Sequence, residues 1–425
     1  MSSETEAAQA KASASSRAEA NKTQLGVGAR ELVVLISSVM ALMAMGLDLV
    51  LPGFDEIREA FDLGDGSNRT GQIITFYFFG LAVAQLAWGP LADRFGRKPI
   101  LYAGITIYMI GAAASALAPS FEALLGARVL WGVGAAGSRV VATAIIRDRF
   151  VGDRMAKAMS QIMAVFVIVP IIAPSMGALI LTVFPWQGVF WFCVIWAVVI
   201  AIWSLRLRET LDPAHVRPLS PGQIGRSYAE VARIPATLFY TLASTCIQVV
   251  FTLYLATSEL MIGEIFDRGD QFPIVFGVIA MGFGLAAIVN SRLVEQMGIA
   301  RMINIALVMA ISGGTLMVIV AVSASGRPNF WIFMPLVGFV LSSFMLLMPN
   351  MNTAAMTPVG HIAGAASAFT SAVRIGIGSA IAGVLTNQIT DSVTVFAVAT
   401  LTMVVIAALW VAAVNRLPET QSATP

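Results

Sequence analysis

Charge is scarce in this chain: 12% of its 425 residues are charged, 58% are hydrophobic, and mean hydropathy is +0.82. A single water-soluble globule could not cover so many apolar side chains, so lipid is the expected solvent. Histidine and cysteine are scarcer still. His215 and His361 fall in or beside loops, and Cys193 and Cys246 lie inside apolar runs without partner spacing. Haem or a metal held within spans needs paired ligands of these types, so neither a cofactor, a metal nor a disulfide is expected, and the chain does not read as an enzyme. No G-x-x-x-x-G-K-[ST] stretch or large soluble domain is present to drive a pump with ATP. The net charge of +2 comes without a basic, aromatic-interleaved stripe, which argues against a nucleic-acid partner. Strand-type alternation is missing too, against a barrel.

What the chain does have is apolar runs of about 20 residues, the length a helix needs to cross a bilayer. They fall near 31-53, 71-92, 99-118, 121-146, 157-183 and 186-207, then near 235-258, 272-292, 299-321, 329-350, 361-388 and 392-415. The expected fold is an all-α integral membrane protein with about twelve transmembrane helices. Residues 1-30, rich in Ala, Ser and charge, read as a disordered tail rather than a signal peptide, and 416-425 as a second tail. Residues 208-234, polar and proline-containing, read as a linker between halves 31-207 and 235-415, whose similar lengths suggest duplication. Most of the 26 Lys and Arg fall on the side of the N-terminus, which places both termini in the cytoplasm.

Between the second and third runs lies GPLADRFGRKP, residues 89 to 99, with Asp93, Arg94, Arg97 and Lys98 crowded together. Topology explains its cations but not Asp93 or the glycines. Leu91 to Gly96 has a weak echo at Leu293 to Gly298, the matching place in the second half.

Gly89, Leu91, Asp93, Arg94, Gly96, Arg97 and Lys98 match, position by position, the signature of the major facilitator superfamily, which the chain resembles over residues 31 to 415. The resemblance implies two pseudo-symmetric six-helix bundles rocking about a central site, with this loop as a cytoplasmic gate. Asp93 would then sit near the start of helix eleven and near Arg147 or Arg149. Arg128, Gly132 and Gly134 are similar to the fourth-helix motif of drug:proton antiporters, with Trp131 where Gln is usual. Pro170, Pro174 and Gly177 resemble the fifth-helix antiporter motif, with Ala173 and Ala178 where Gly is common. GLDLVLPGFDEI, FPWQGVFWF and RETLDPAHVRPLS are similar to the Bcr/CflA type of multidrug efflux transporter, with Gln187 in place of Arg. What this implies is a monomer in the bacterial inner membrane that exports small-molecule drugs in exchange for protons. The alternative on the same fold is a proton symporter or facilitator for a small polar metabolite.

An ionisable side chain at the bilayer centre costs about 2.5 to 3.5 kcal/mol on insertion scales, so each needs a reason. Asp48 and Arg128 lie at about equal depth, roughly 8 to 11 Å below the outer boundary at 1.5 Å per residue, which permits pairing. Asp48 is read as the proton-exchanging carboxylate with Arg128 as its partner. Arg139, 11 positions after Arg128, falls on the same helix face about 16 Å deeper, where it would line the cavity. Arg374 is a candidate substrate or anion contact. Glu259 reads as a rim charge. Phe76, Tyr77, Phe251, Tyr254, Phe344 and Met345 are candidates for the apolar lining, since multidrug pockets use aromatics and adaptable methionine.

Overall fold

The computed structural model describes residues 27–64, 67–150, 153–212, 216 and 219–417. Most of the expected N-terminal tail, His215 and residues 418–425 lie outside the described residues. Among the described residues there is no strand, and twelve helices have 18 residues or more. The first half holds α1 Ala29–Asp48, α2 Gln72–Phe95, α3 Arg97–Ala116, α4 Phe121–Arg149, α5 Asp153–Leu181 and α6 Gln187–Ser204. The second holds α7 Pro235–Leu260, α8 Phe272–Met297, α9 Ile299–Ser323, α10 Phe330–Met356, α11 Ala363–Thr386 and α12 Thr394–Val414.

Their lengths and apolar content suit membrane spans. Ten segments are long and apolar enough to cross a bilayer, one of which, Phe330–Thr386, joins α10 and α11; within α5 the apolar stretch Ile168–Leu181 is shorter. Outward-facing residues such as Val83, Ile195, Leu285, Val308 and Leu409 are exposed and apolar, as a lipid-facing surface requires.

Local chemistry sets the helix ends. Ser120 and Asn329 accept backbone N–H donors of Ala123 and Trp331, starting α4 and α10. The charged connection after α2 is a single residue: Gly96, at φ +100°, alone separates α2 from α3, and Gly298, at φ +77°, alone separates α8 from α9. The faint sequence echo thus marks the same backbone turn in both halves, at a dihedral that favours glycine.

Two boundaries differ from the sequence reading. The first helix ends at Asp48; the chain then turns through Leu51–Gly53, with Pro52, into a short helix Phe54–Ala60. The linker contains a helix, Pro221–Ala232, begun by proline at its first position and carrying Ile224, Tyr228 and Val231 at helical spacing.

The halves meet along a seam where α2 packs on α11 and α5 on α8, while α4 is wedged against α2 and α3. We call the end of the bundle that holds Ala29 and Val414 the terminal end, and the end that holds Asp48 the far end.

Candidate functional site

Asp48 is the last residue of α1 and is 4% exposed. Its carboxyl lies within electrostatic reach of the Tyr77 hydroxyl in its own half and the Tyr254 hydroxyl of α7 across the seam. Tyr254 is wholly buried, its ring stacked on Phe276 at 5.7 Å, and its hydroxyl has no hydrogen-bond partner among the described residues. The fifth-helix motif packs on this spot. A Cβ at Gly177 would lie 2.2 Å from the carbonyl oxygen of Leu49, so only glycine lets α5 touch the turn beside Asp48. Pro170 and Pro174 lie upstream within the same helix, where each removes a backbone donor.

The expected Asp48–Arg128 ion pair is not formed in this structure. Arg128 is 0% exposed; its Nε donates to the Ile73 carbonyl at 3.2 Å, and neither Nη finds a hydrogen-bond partner among the described residues. Its guanidinium lies 4.7 Å from the Tyr77 ring centroid and 4.6 Å from that of Trp131. Tyr77 lies within electrostatic reach of both charges, and its ring packs against the Arg128 guanidinium. Trp131, standing where glutamine is usual in the motif, offers a ring face in place of a hydrogen bond. Gly132 and Gly134 bring α4 into backbone contact with Tyr77 of α2 and Tyr108 of α3, which closes this box.

At the far end the halves are locked. Arg58, 7% exposed, pairs with Glu259 of α7 at 3.3 Å and also with Asp55 and Glu264, and its Nε donates to the Ser67 carbonyl at 3.0 Å. Glu259 is itself 4% exposed, so it is a buried seam residue and not a rim charge. Asn68 Nδ2 donates to the Thr386 carbonyl at 3.1 Å and Gln72 Nε2 to Asn387 Oδ1 at 3.2 Å, both across the seam. The sequence signal that could have found this lock was Arg58 itself, a cation among the acids of the DEIREAF stretch.

The signature loop at the terminal end is tied within its own half. Asp93 bonds Arg97 at 2.6 Å, and Arg97 also reaches Asp148 at 2.9 Å. Neither Arg147 nor Arg149 joins Asp93: Arg149 instead donates to the Glu209 carbonyl at 3.2 Å, and no α11 residue enters this network among the described residues. Glu209, from the RET stretch after α6, accepts the backbone N–H groups of Arg97 at 2.9 Å and Lys98 at 3.0 Å, capping α3. A Cβ at Gly96 would lie 2.6 Å from its Oε2, a second reason for glycine there. Partial burial pushes the Glu209 carboxyl up, but N–H donors from Leu211, Arg97, Lys98 and Thr210 outweigh it and hold it below the usual range. Lys98 Nζ donates to the Leu205 carbonyl at the end of α6, Leu91 packs against the core, Arg94 is exposed, and Gly89 has open space around it.

Arg139 and Arg374 are half-buried and feel each other's charge across the seam. Arg374 Nη1 donates to Gln248 Oε1 at 2.8 Å, and Arg139 Nη1 lies 3.8 Å from Met43 Sδ. Of the apolar candidates, Phe251 and Met345 are half-buried, Phe76 is exposed, and Tyr77, Tyr254 and Phe344 are sealed in the core.

Residues 35–383 match the Major Facilitator Superfamily. Curated relatives include a bicyclomycin resistance protein homolog of Haemophilus influenzae, 27% identical over 362 residues, covering 85% of this chain and 90% of the relative. Multidrug resistance protein MdtL of Escherichia coli O81 is 32% identical over 241 residues, covering 56% of this chain and 60% of that protein. In fold, the chain is similar to a D-xylose-proton symporter, with a TM-score of 0.72 at 14% identity, covering 92% of this chain and 99% of that one. It is also similar to the human organic anion transporter MFSD10 (TETRAN), with a TM-score of 0.63 at 18% identity over 90% and 98% of the two chains. Twelve long apolar helices in two halves, the charged single-glycine turn and a family match over most of its length lead to one conclusion: the chain belongs to the Major Facilitator Superfamily and is a multi-pass membrane transporter.

Proposed function

We propose that this protein exports small-molecule drugs or related amphipathic compounds across the bacterial inner membrane in exchange for protons, as a monomer working by alternating access. Its terminal end faces the cytoplasm in this reading, and its far end faces outward. The names of the relatives, a bicyclomycin resistance protein homolog and a multidrug resistance protein, support drug export.

The observation that carries the proton role is Asp48, a buried carboxyl at the seam that forms no ion pair among the described residues. An unpaired carboxylate there bears the desolvation cost of a buried charge, and proton uptake removes that cost. With the far end open, Asp48 takes a proton from outside, and as the neutral acid it can be sealed in when the halves rock. Opening of the terminal end admits water and substrate, and the proton leaves to the cytoplasm. Tyr254, whose hydroxyl lacks a partner among the described residues, is the donor from the opposite half that would hold the charged form meanwhile.

The test is uptake of bicyclomycin into inside-out vesicles with an acidified lumen. The wild type should accumulate the drug and Asp48→Asn should not, although it should still bind it. Undiminished proton-driven uptake by the variant removes the proton role; drug loss rather than accumulation in the wild type would mark a symporter.

A further inference from the structure

We propose that Tyr228, on the linker helix Pro221–Ala232, is a latch for the far-closed arrangement of this structure, and that its hydroxyl releases α2 each time the halves rock. This deepens the alternating-access reading and rests on it.

The linker helix belongs mechanically to the second half. It runs into α7 after Arg233 and Ile234, and it packs on α7 and α11. Val231 is sealed in a small apolar cluster with Val359 and Ala366. Glu230 lies 2.9 Å from His361, and the Tyr228 ring stacks on Phe369 at 6.3 Å. All of these partners move with the second half.

One bond leaves for the other half. The Tyr228 hydroxyl donates to the Leu86 carbonyl of α2 at 2.8 Å. Pro90 has no N–H to give that carbonyl, which leaves it open to a donor from outside the helix. Among the described residues, every other side-chain hydrogen bond or ion pair between the halves is at the far end: Arg58 with Glu259 and Glu264, Asn68 with Thr386, and Gln72 with Asn387. The Tyr228 bond is therefore the counterpart of the far-end lock on the terminal side.

Leu86 lies about 21 Å along α2 from Gln72, at 1.5 Å per residue. Rocking about a pivot midway between them, by an angle on the order of 15°, moves each end by about 3 Å. A 2.8 Å hydrogen bond does not survive such a displacement. The bond thus exists in one state and not in the other, so it weights the equilibrium between them. Its loss should shift the ratio of the two states about two- to tenfold, the effect of one net hydrogen bond.

The test is double electron–electron resonance on the full chain in lipid nanodiscs, with spin labels at Asp62 and Thr390 across the far end, in acid, in alkali and with bicyclomycin. The wild type should give a short and a long distance whose proportions change with the condition. Tyr228→Phe keeps the ring on Phe369 and loses only the hydroxyl, so it should raise the long-to-short ratio about two- to tenfold. His361→Gln is the control: it loosens the linker helix, but Glu230 and His361 travel together, so the ratio should stay as in the wild type. Thermal melts confirm folding. Should Tyr228→Phe not fold, Pro90→Ala takes its place, because the restored helical N–H competes for the Leu86 carbonyl and should raise the ratio as well. An unchanged ratio in the latch variant, or an equal rise in His361→Gln, overturns the latch and leaves alternating access standing. A single distance in the wild type under every condition removes alternating access, and the latch with it.

Discussion

The hydroxyl of Tyr228 donates a 2.8 Å hydrogen bond to the backbone carbonyl of Leu86, the group that Pro90, four residues further along α2, leaves without its helical donor. The linker helix thus repairs a break in a span of the first half. The Tyr228 ring meanwhile stacks on Phe369 of α11 at 6.3 Å, and Glu230 lies 2.9 Å from His361, so the same helix is also tied to the second half. Tyr228→Phe should cost about 0.5–1.5 kcal/mol, a typical net hydrogen bond, and speed amide exchange in 221–232. Tyr228→Ala should do so more strongly because the stacking goes as well. Exchange unchanged in both variants would mean that the linker helix is held by other contacts.

Removing Arg58 should open the far end. Glu259 would be left as a buried charge without its partner, a situation that typically costs about 3–5 kcal/mol. Spin labels at Asp62 and Thr390, one in each half, should move apart in Arg58→Gln and less in Glu259→Gln, where Arg58 keeps Asp55 and Glu264. Identical distance distributions in the wild type and both variants would show that the lock does not hold the halves together.

The Glu209 cap should carry a pH signature. Its carboxyl is held below the usual range in the folded protein, so its contribution is fully present above the unfolded value of about 4.3 and disappears as pH falls through the lower folded value. Because Glu209 is exposed, the effect should sit near the low end of the cap range of about 0.5–2 kcal/mol. Melting curves of Glu209→Ala in detergent should run below the wild type at neutral pH and converge with it in acid. A gap that widens in acid would contradict the cap.

Gly177→Ala should destabilise by about 1–3 kcal/mol, the usual range for overpacking, because the added methyl meets the Leu49 carbonyl oxygen at 2.2 Å. Gly126→Ala is the control, since a Cβ there meets nothing within 4 Å. It should be neutral or slightly stabilising, as alanine favours helix more than glycine does. Equal melting temperatures for the two variants would mean that α5 can shift away from α1 at no cost.

The sequence by itself determined most of the spans, because apolar length is a one-dimensional quantity that runs along the chain. It singled out Asp48 and Arg128 as charges inside apolar runs and placed Gly177 in a motif of consequence. The tertiary structure alone decided neighbours. Tyr77 rather than Asp48 lies against Arg128; Glu259 is buried because Arg58 arrives from the opposite half; and Glu209 caps a helix more than a hundred positions before it. Which side chains meet depends on how each helix is rotated and on which face of one half docks against the other. Those choices are made by close packing among residues far apart in the chain, and no local run of residues encodes them.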